Sequence, residues 1–287
     1  MNRAPHPEGA SGRTPKAGEP RIPIDDALLE AVRRLAMEAG EAIMRIYAGE
    51  FDIVAKSDHT PVTAADLAAH RLIEAGLREL APGLPVLSEE GADIPYATRR
   101  QWPQYWLVDP LDGTREFIKR NGEFTVNIAL IDGQEAVLGV VHAPALGLTY
   151  GARRGGGAWK WADAQPLRIH ARPRAATPPC VAASRSHGSS RIQAYLDALG
   201  AHTRLSMGSA LKSCLVAEGT ADLYPRLGPT SEWDTAAAQC IVEEAGGFVT
   251  DTAMRRLRYN SKESLLNPEF FVFGDAGIDW SSFLPEP

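Results

Sequence analysis

Two short apolar runs in this chain end in acidic residues. Val86-Leu87-Ser88 leads into Glu89-Glu90, and Tyr105-Trp106-Leu107-Val108 leads into Asp109. Uninterrupted apolar runs of this length read as strands buried on both faces. Such strands need a covering layer on each side, and here they set carboxylates where the chain leaves the core. The flanking sequence supplies the layers. Leu28, Val32, Leu35, Ala39, Ile43 and Ile46 recur at helical spacing between about Asp25 and Tyr47, with Asp25 or Asp26 as the cap after Pro23. A second helix from about Thr63 carries Leu67, Ile73, Leu77 and Leu80 on one face and ends at Pro82-Gly83. Phe51 to Val54 reads as a short strand. Phe124 to Ile131 and Ala136 to His142 flank Asp132-Gly133, a hairpin signal, and Leu148 to Ala152 adds a strand before Gly155-Gly156-Gly157.

After about Pro166 the order alternates. Strands are expected at Val181 to Ser184, Thr203 to Ser206 and Ala221 to Tyr224, with helices at Ser190 to Leu199, Ser209 to Glu218 and Asp234 to Ala245. No internal repeat is visible. The expected organisation is a disordered tail over 1–22, an α+β half over 23–165 that holds metal, and an α/β half over 166–287 that sets specificity. A net charge of -6 argues against a nucleic-acid polymer as partner. The three cysteines, Cys180, Cys214 and Cys240, show no paired spacing, which fits a reducing cytoplasm rather than a disulfide framework. No run of about 18 apolar residues is present, so no membrane span is expected, and the first residues lack the apolar stretch of a secretory signal.

Trp106 to Thr114 is the most informative segment. Asp109 and Asp112 sit three apart, Pro110 disfavours a regular strand or helix interior, and Gly113 permits a tight turn. A turn here brings both carboxylates and the Leu111 carbonyl to one point, a donor set that suits Mg²⁺. Taken alone, the pattern reads more readily as an Asx turn closing a strand. Ser88-Glu89-Glu90-Gly91 taken alone is a solvated loop. Thr63-Ala64-Ala65-Asp66 matches a capping box, and Asp234 in Ser231-Glu232-Trp233-Asp234 matches an N-cap. Joined in one cleft, Glu89, Asp109, Asp112 and Asp234 would demand neutralising cations. Two or three Mg²⁺ ions would meet that demand in the manner of a two-metal phosphoryl-transfer site.

Together, Ser88-Glu89-Glu90, Asp109-Pro110-Leu111-Asp112-Gly113-Thr114 and Trp233-Asp234 resemble the three signatures of the inositol monophosphatase superfamily, in its order and with compatible spacing. Pro61 to Asp66, Glu116 to Asn127, Ser184-Arg185-Ser186-His187 and Leu223-Tyr224-Pro225-Arg226 are similar to its bacterial 3′(2′),5′-bisphosphate nucleotidases of the CysQ type. The resemblance runs from about Ile24 to Phe273. It implies a layered αβαβα sandwich. It implies Glu89, Asp109, Asp112, Asp234 and the Leu111 carbonyl as ligands of two or three Mg²⁺ ions. Asp66, Glu89 and Thr114 are implied as catalytic, with Asp66 helping hold a third metal and Thr114 orienting the attacking water.

The substrate is implied to meet Glu89, Leu111, Asp112, Gly113, Thr114 and Asp234 around its reacting phosphate. Ser186, His187, Ser209, Lys212 and Arg226 match positions facing the nucleotide and its second phosphate, and Lys56 matches a basic position near the metals. The implied reaction removes the 3′-phosphate of adenosine 3′,5′-bisphosphate, extending to 3′-phosphoadenylyl sulfate, in sulfur assimilation and nucleotide recycling. One departure is a loop at Gly91 to Ile94 that is one residue longer than the pattern. An inositol or sugar phosphatase of the same fold is the nearest rival reading, and a non-catalytic nucleotide sensor is a second. The implied location is cytoplasmic, with the inner face of the bacterial inner membrane as the other place where such relatives are assigned. Oligomeric state stays open.

Overall fold

The Asp25 carboxylate accepts from the Leu28 N–H at 2.8 Å and starts α1, Asp26–Tyr47. In this computed structural model, residues 21–49, 53–55, 61–162, 165–184 and 189–285 are described. Lys56, Ser186 and His187 lie outside them. Ile22, expected in the tail, is docked: its N–H donates to Gln104 at 2.8 Å, and neighbouring Arg21 pairs with Asp132.

After α1 come β1 (Ile53–Ala55), β2 (Pro61–Thr63), α2 (Ala64–Leu80), β3 (Val86–Ser88) and the short α3 (Tyr96–Arg99). Next are β4 (Gln104–Asp112), α4 (Thr114–Ile118), β5 (Thr125–Asp132), β6 (Glu135–Ala143), β7 (Leu148–Arg153), β8 (Gly157–Trp161) and β9 (Leu167–Ile169). The remainder is β10 (Cys180–Ala183), α5 (Ser190–Leu199), β11 (Thr203–Ser206), α6 (Leu211–Ala217), β12 (Leu223–Arg226), α7 (Glu232–Glu244), β13 (Phe248–Asp251) and β14 (Phe270–Phe273). β3 to β9 form one sheet in chain order, so its last strand comes from the C-terminal half of the sequence. The second sheet runs β11-β10-β12-β14-β13, with β10, β11 and β12 parallel.

Alternation along β4 sets the layers. Trp106 and Val108 pack with Val32, Ile43 and Ile73 of α1 and α2, whereas Tyr105 and Leu107 pack with Cys214 of α6 and Ala237 and Ile241 of α7. Phe270 and Val272 close the same inner core from the second sheet, while Phe271 and Phe273 face Tyr195 and Leu196 of α5. The order is therefore helices, sheet, helices, sheet, helix, the expected αβαβα sandwich.

Two local expectations are corrected. Pro110 does not end β4. The strand reaches Asp112 because pairing with β5 slips between Asp109↔Asn127 and Asp112↔Thr125, leaving one extra residue in a bulge. Proline is tolerated where the ladder is already broken. The hairpin turn is Gly133-Gln134 rather than Asp132-Gly133, since Asp132 pairs with Glu135 and Gly133 has φ +66°. Among the described residues, no helix is long and apolar enough to cross a membrane.

α7 approaches the larger sheet closely because both surfaces are stripped of bulk. A Cβ on Gly139 of β6 would lie 2.2 Å from the Ala237 carbonyl oxygen. Gly139→Ala is therefore expected to destabilise the protein by about 1–3 kcal/mol, since backbone rather than a flexible side chain must yield. A lower urea midpoint with unchanged slope checks this; a midpoint equal to wild type refutes the contact.

Candidate active site

The bulge in β4 lets two carboxylates reach one point. Asp109 and Asp112, with Asp234 from α7, place carboxylate oxygens within 4.8 Å of one another. Each is fastened by the backbone around it. Asp109 accepts from the Leu111 N–H at 3.0 Å. Asp112 accepts from the Ala210 N–H at 2.6 Å and from the Asn127 amide at 3.4 Å. Asp234 accepts from the Ser231 N–H at 3.0 Å in a capping box, so it is the third residue of α7 and Ser231 is the cap.

These three border a cavity of about 280 Å³, which Glu89, Leu111, Gly113 and Thr114 also line. Ser209, Lys212 and Arg226 line it as well. Asp66, buried on the first turn of α2, reaches it through Thr114, whose hydroxyl donates to Asp66 Oδ1 at 3.2 Å, with the Leu111 carbonyl as the more distant alternative acceptor at 3.4 Å. Thr114 opens α4 directly after Gly113, which takes φ +91° and acts as its cap. Glu89 sits at the N-terminal end of a short 3-10 turn after β3, outside the trio but close enough to raise its members electrostatically.

The electrostatics follow from this crowding. Burial, then Glu89, Asp112 and Asp234, push the Asp109 carboxyl well above the usual carboxylate range. Burial raises Asp234 to about 8, with Asp112 and Glu89 adding to it. The contact between the two carboxyls favours the protonated form of Asp109 and the ionised form of Asp234. Burial raises Asp112 only to about 6, because the Lys212 ammonium, the Ala210 N–H and the Asn127 amide hold it down. Burial pushes the Lys212 ammonium down to about 8, against the pull of Asp112.

An all-oxygen donor set that repels itself this strongly fits a hard divalent cation. Opposite in charge, Lys212 donates to the Ser209 carbonyl at 2.7 Å and lies over the Tyr224 ring at 5.3 Å. Arg226 donates to the Thr230 hydroxyl at 2.5 Å and to the Pro229 carbonyl at 2.7 Å. Ser209, at φ +43°, turns a buried hydroxyl that finds no hydrogen-bond partner among the described residues.

Sequence reasoning passed over Asn127, Tyr224, Ser184 and Thr230. The parity of β5 puts Asn127 opposite Asp109, a signal that only the register reveals. Tyr224, Ser184 and Arg226 also border a second cavity of about 760 Å³, at the C-terminal ends of parallel β10 and β12.

Comparison with known proteins agrees with this geometry. A profile of the inositol monophosphatase family matches residues 25–271. The chain is 53% identical over 248 residues to the 3′(2′),5′-bisphosphate nucleotidase CysQ of Escherichia coli K12, covering 85% of this chain and 99% of that protein. Its structure is similar to that of CysQ from Bacteroides thetaiotaomicron, with TM-score 0.76 and 42% identity over 86% of this chain and 97% of that one. It is also similar to an IMPase from Thermotoga maritima, with TM-score 0.74 and 27% identity over 90% and 96% of the two chains. The chain belongs to the inositol monophosphatase family.

Proposed function

We propose that this protein is a Mg²⁺-dependent 3′(2′),5′-bisphosphate nucleotidase, removing the 3′-phosphate of adenosine 3′,5′-bisphosphate to give AMP and phosphate. The observation that carries the reading is one cavity holding both a carboxylate trio and two cationic side chains. The trio suits cations that grip a reacting phosphate, and Lys212 and Arg226 suit a second phosphate. The names of the CysQ relatives support the same substrate.

In this reading Glu89, Asp109, Asp112, Asp234 and the Leu111 carbonyl hold two or three Mg²⁺ ions. Mg²⁺ held there would supply a water of lowered pKa and neutralise charge on the phosphoryl oxygens. The chain's own groups do the positioning. Thr114 spends its hydroxyl proton on Asp66, so its lone pairs are left to accept a hydrogen bond from the attacking water. Asp66 is the carboxylate to which a proton can pass in turn. Gly113 and Thr114, at the start of α4, line the cavity, where backbone amides can meet the phosphate. Water attacks phosphorus in line with the departing 3′-oxygen, with no covalent enzyme intermediate. Ser209 joins Lys212 and Arg226 toward the nucleotide, with Ser186 and His187 from the segment outside the described residues. A cytoplasmic setting fits the free thiols of Cys180, Cys214 and Cys240.

Side-by-side phosphate release from adenosine 3′,5′-bisphosphate and inositol 1-phosphate tests the assignment. Mg²⁺-dependent release from the nucleotide alone is expected; preference for the inositol ester would overturn the substrate and keep the site. Asp112→Asn is expected to lower turnover by more than about a hundredfold at ordinary Mg²⁺, and a near-normal rate would remove it from the ligand set. Arg226→Met should lower kcat/KM for the bisphosphate by about tenfold or more, with little change for a nucleoside 3′-monophosphate.

pH supplies a further check. Asp112 and Asp234 are acids raised above their unfolded value near 4, to about 6 and about 8. Their contribution to stability is therefore complete below about pH 4 and is lost as pH rises through those two values. In EDTA the melting temperature should fall between about pH 5 and about pH 9, and the gain on adding Mg²⁺ should grow over the same range. A Mg²⁺ gain independent of pH would contradict the cluster's role.

A further inference from the structure

Glu232 is fully buried, yet it does not border the cavity. It stands two residues before Asp234 in the first turn of α7. Its carboxylate accepts from the Asn260 N–H at 2.8 Å and from the Lys262 ammonium at 3.2 Å. Asn260, held at φ +52°, accepts from Arg99 through its side-chain oxygen at 2.5 Å and donates its amide to the Arg99 carbonyl at 2.6 Å. Arg99, 2% exposed, donates also to the Glu263 carbonyl. Asn267 completes the ring by donating to the Ser231 carbonyl at 2.8 Å and the Thr235 hydroxyl at 2.9 Å.

The connections have a direction. Arg99 ends α3, the element just before β4, and β4 carries Asp109 and Asp112. Glu232 begins α7, which carries Asp234. The segment from Asn260 to Asn267 joins the two. Burying a carboxylate and a guanidinium is costly, and apolar residues of the same size would pack at lower cost. What the charged version adds is a fixed orientation of one carrier relative to the other.

We propose that Glu232, through Asn260 and Arg99, is a positioning residue that holds the first turn of α7 so that Asp234 completes the cation site with Asp109 and Asp112. This rests on the metal-site reading above. It differs from a general charge effect, in which Glu232 merely adds negative potential, and from a role in stability alone.

Mn²⁺ binding to the metal-free protein, followed by electron paramagnetic resonance, separates these. Glu232→Gln is expected to weaken Mn²⁺ binding about tenfold. Asn260→Gly keeps the backbone angle and all charges but cuts the link to Arg99, and it should weaken binding similarly. Lys262→Met is the discriminating variant. Loss of its positive charge would tighten Mn²⁺ binding if potential alone mattered, whereas a looser Glu232 weakens it. Tyr195→Phe, which removes a buried bond to the Trp280 carbonyl in a remote cluster, should lower the melting temperature without moving Mn²⁺ affinity. Unchanged affinity in Asn260→Gly, or tighter binding in Lys262→Met, overturns the proposal, and both hold even if Glu232→Gln fails to fold. A wild-type protein that binds no Mn²⁺ would overturn the metal-site reading itself and the positioning role with it.

Discussion

Three carboxylates within 4.8 Å of one another, one buried and two half-buried, are the condition on which this fold is organised. Left alone they repel, which favours their protonated forms. Everything nearby acts to keep them together. The bulge in β4 turns two of them to one side, a capping box fixes the third, and Lys212 balances charge beside Asp112. Rigid β-structure on one side and a helix start on the other hold that geometry more firmly than loops would.

The close seating of α7 follows from the same condition. Asp234 reaches Asp109 only if the helix lies against the sheet, and the run Thr235-Ala236-Ala237-Ala238 with Gly139 beneath it makes that approach possible. Small residues there trade packing area for proximity. Larger aromatics fill the space elsewhere: Tyr105 within the same inner core, and Phe117 and Phe124 beneath α1.

Much of this was legible in the chain. Acidic residues after apolar runs announced Asp109, Asp112 and Glu89, because a strand end is where a polar group can leave the core. Helical spacing located α1 and α2, although Leu67 and Leu80, expected on the apolar face of α2, are exposed. What stayed hidden depends on partners far away in sequence. Pro110 looked like a strand breaker because its tolerance rests on a slip against β5. The turn at Gly133 was offset by one residue because pairing, not the Asp-Gly pair, decides it. β13 and β14 were not read at all, since short apolar runs such as Phe270 to Phe273 lack a periodic signature. Arg99 and Asn260 lie 161 residues apart, and no local pattern pairs them.

α7 also sets an order of events during synthesis. It lies between the two sheets, yet it follows every strand of the larger sheet in the chain. Until it emerges, Tyr105, Leu107, Ile131 and Val141 present an uncovered apolar surface on the larger sheet. A nascent chain is thus sticky on one side from the time Val141 emerges until α7 follows, and exposed apolar surface of this kind is what chaperones protect. Assembly of the carboxylate trio and burial of that surface become a single step.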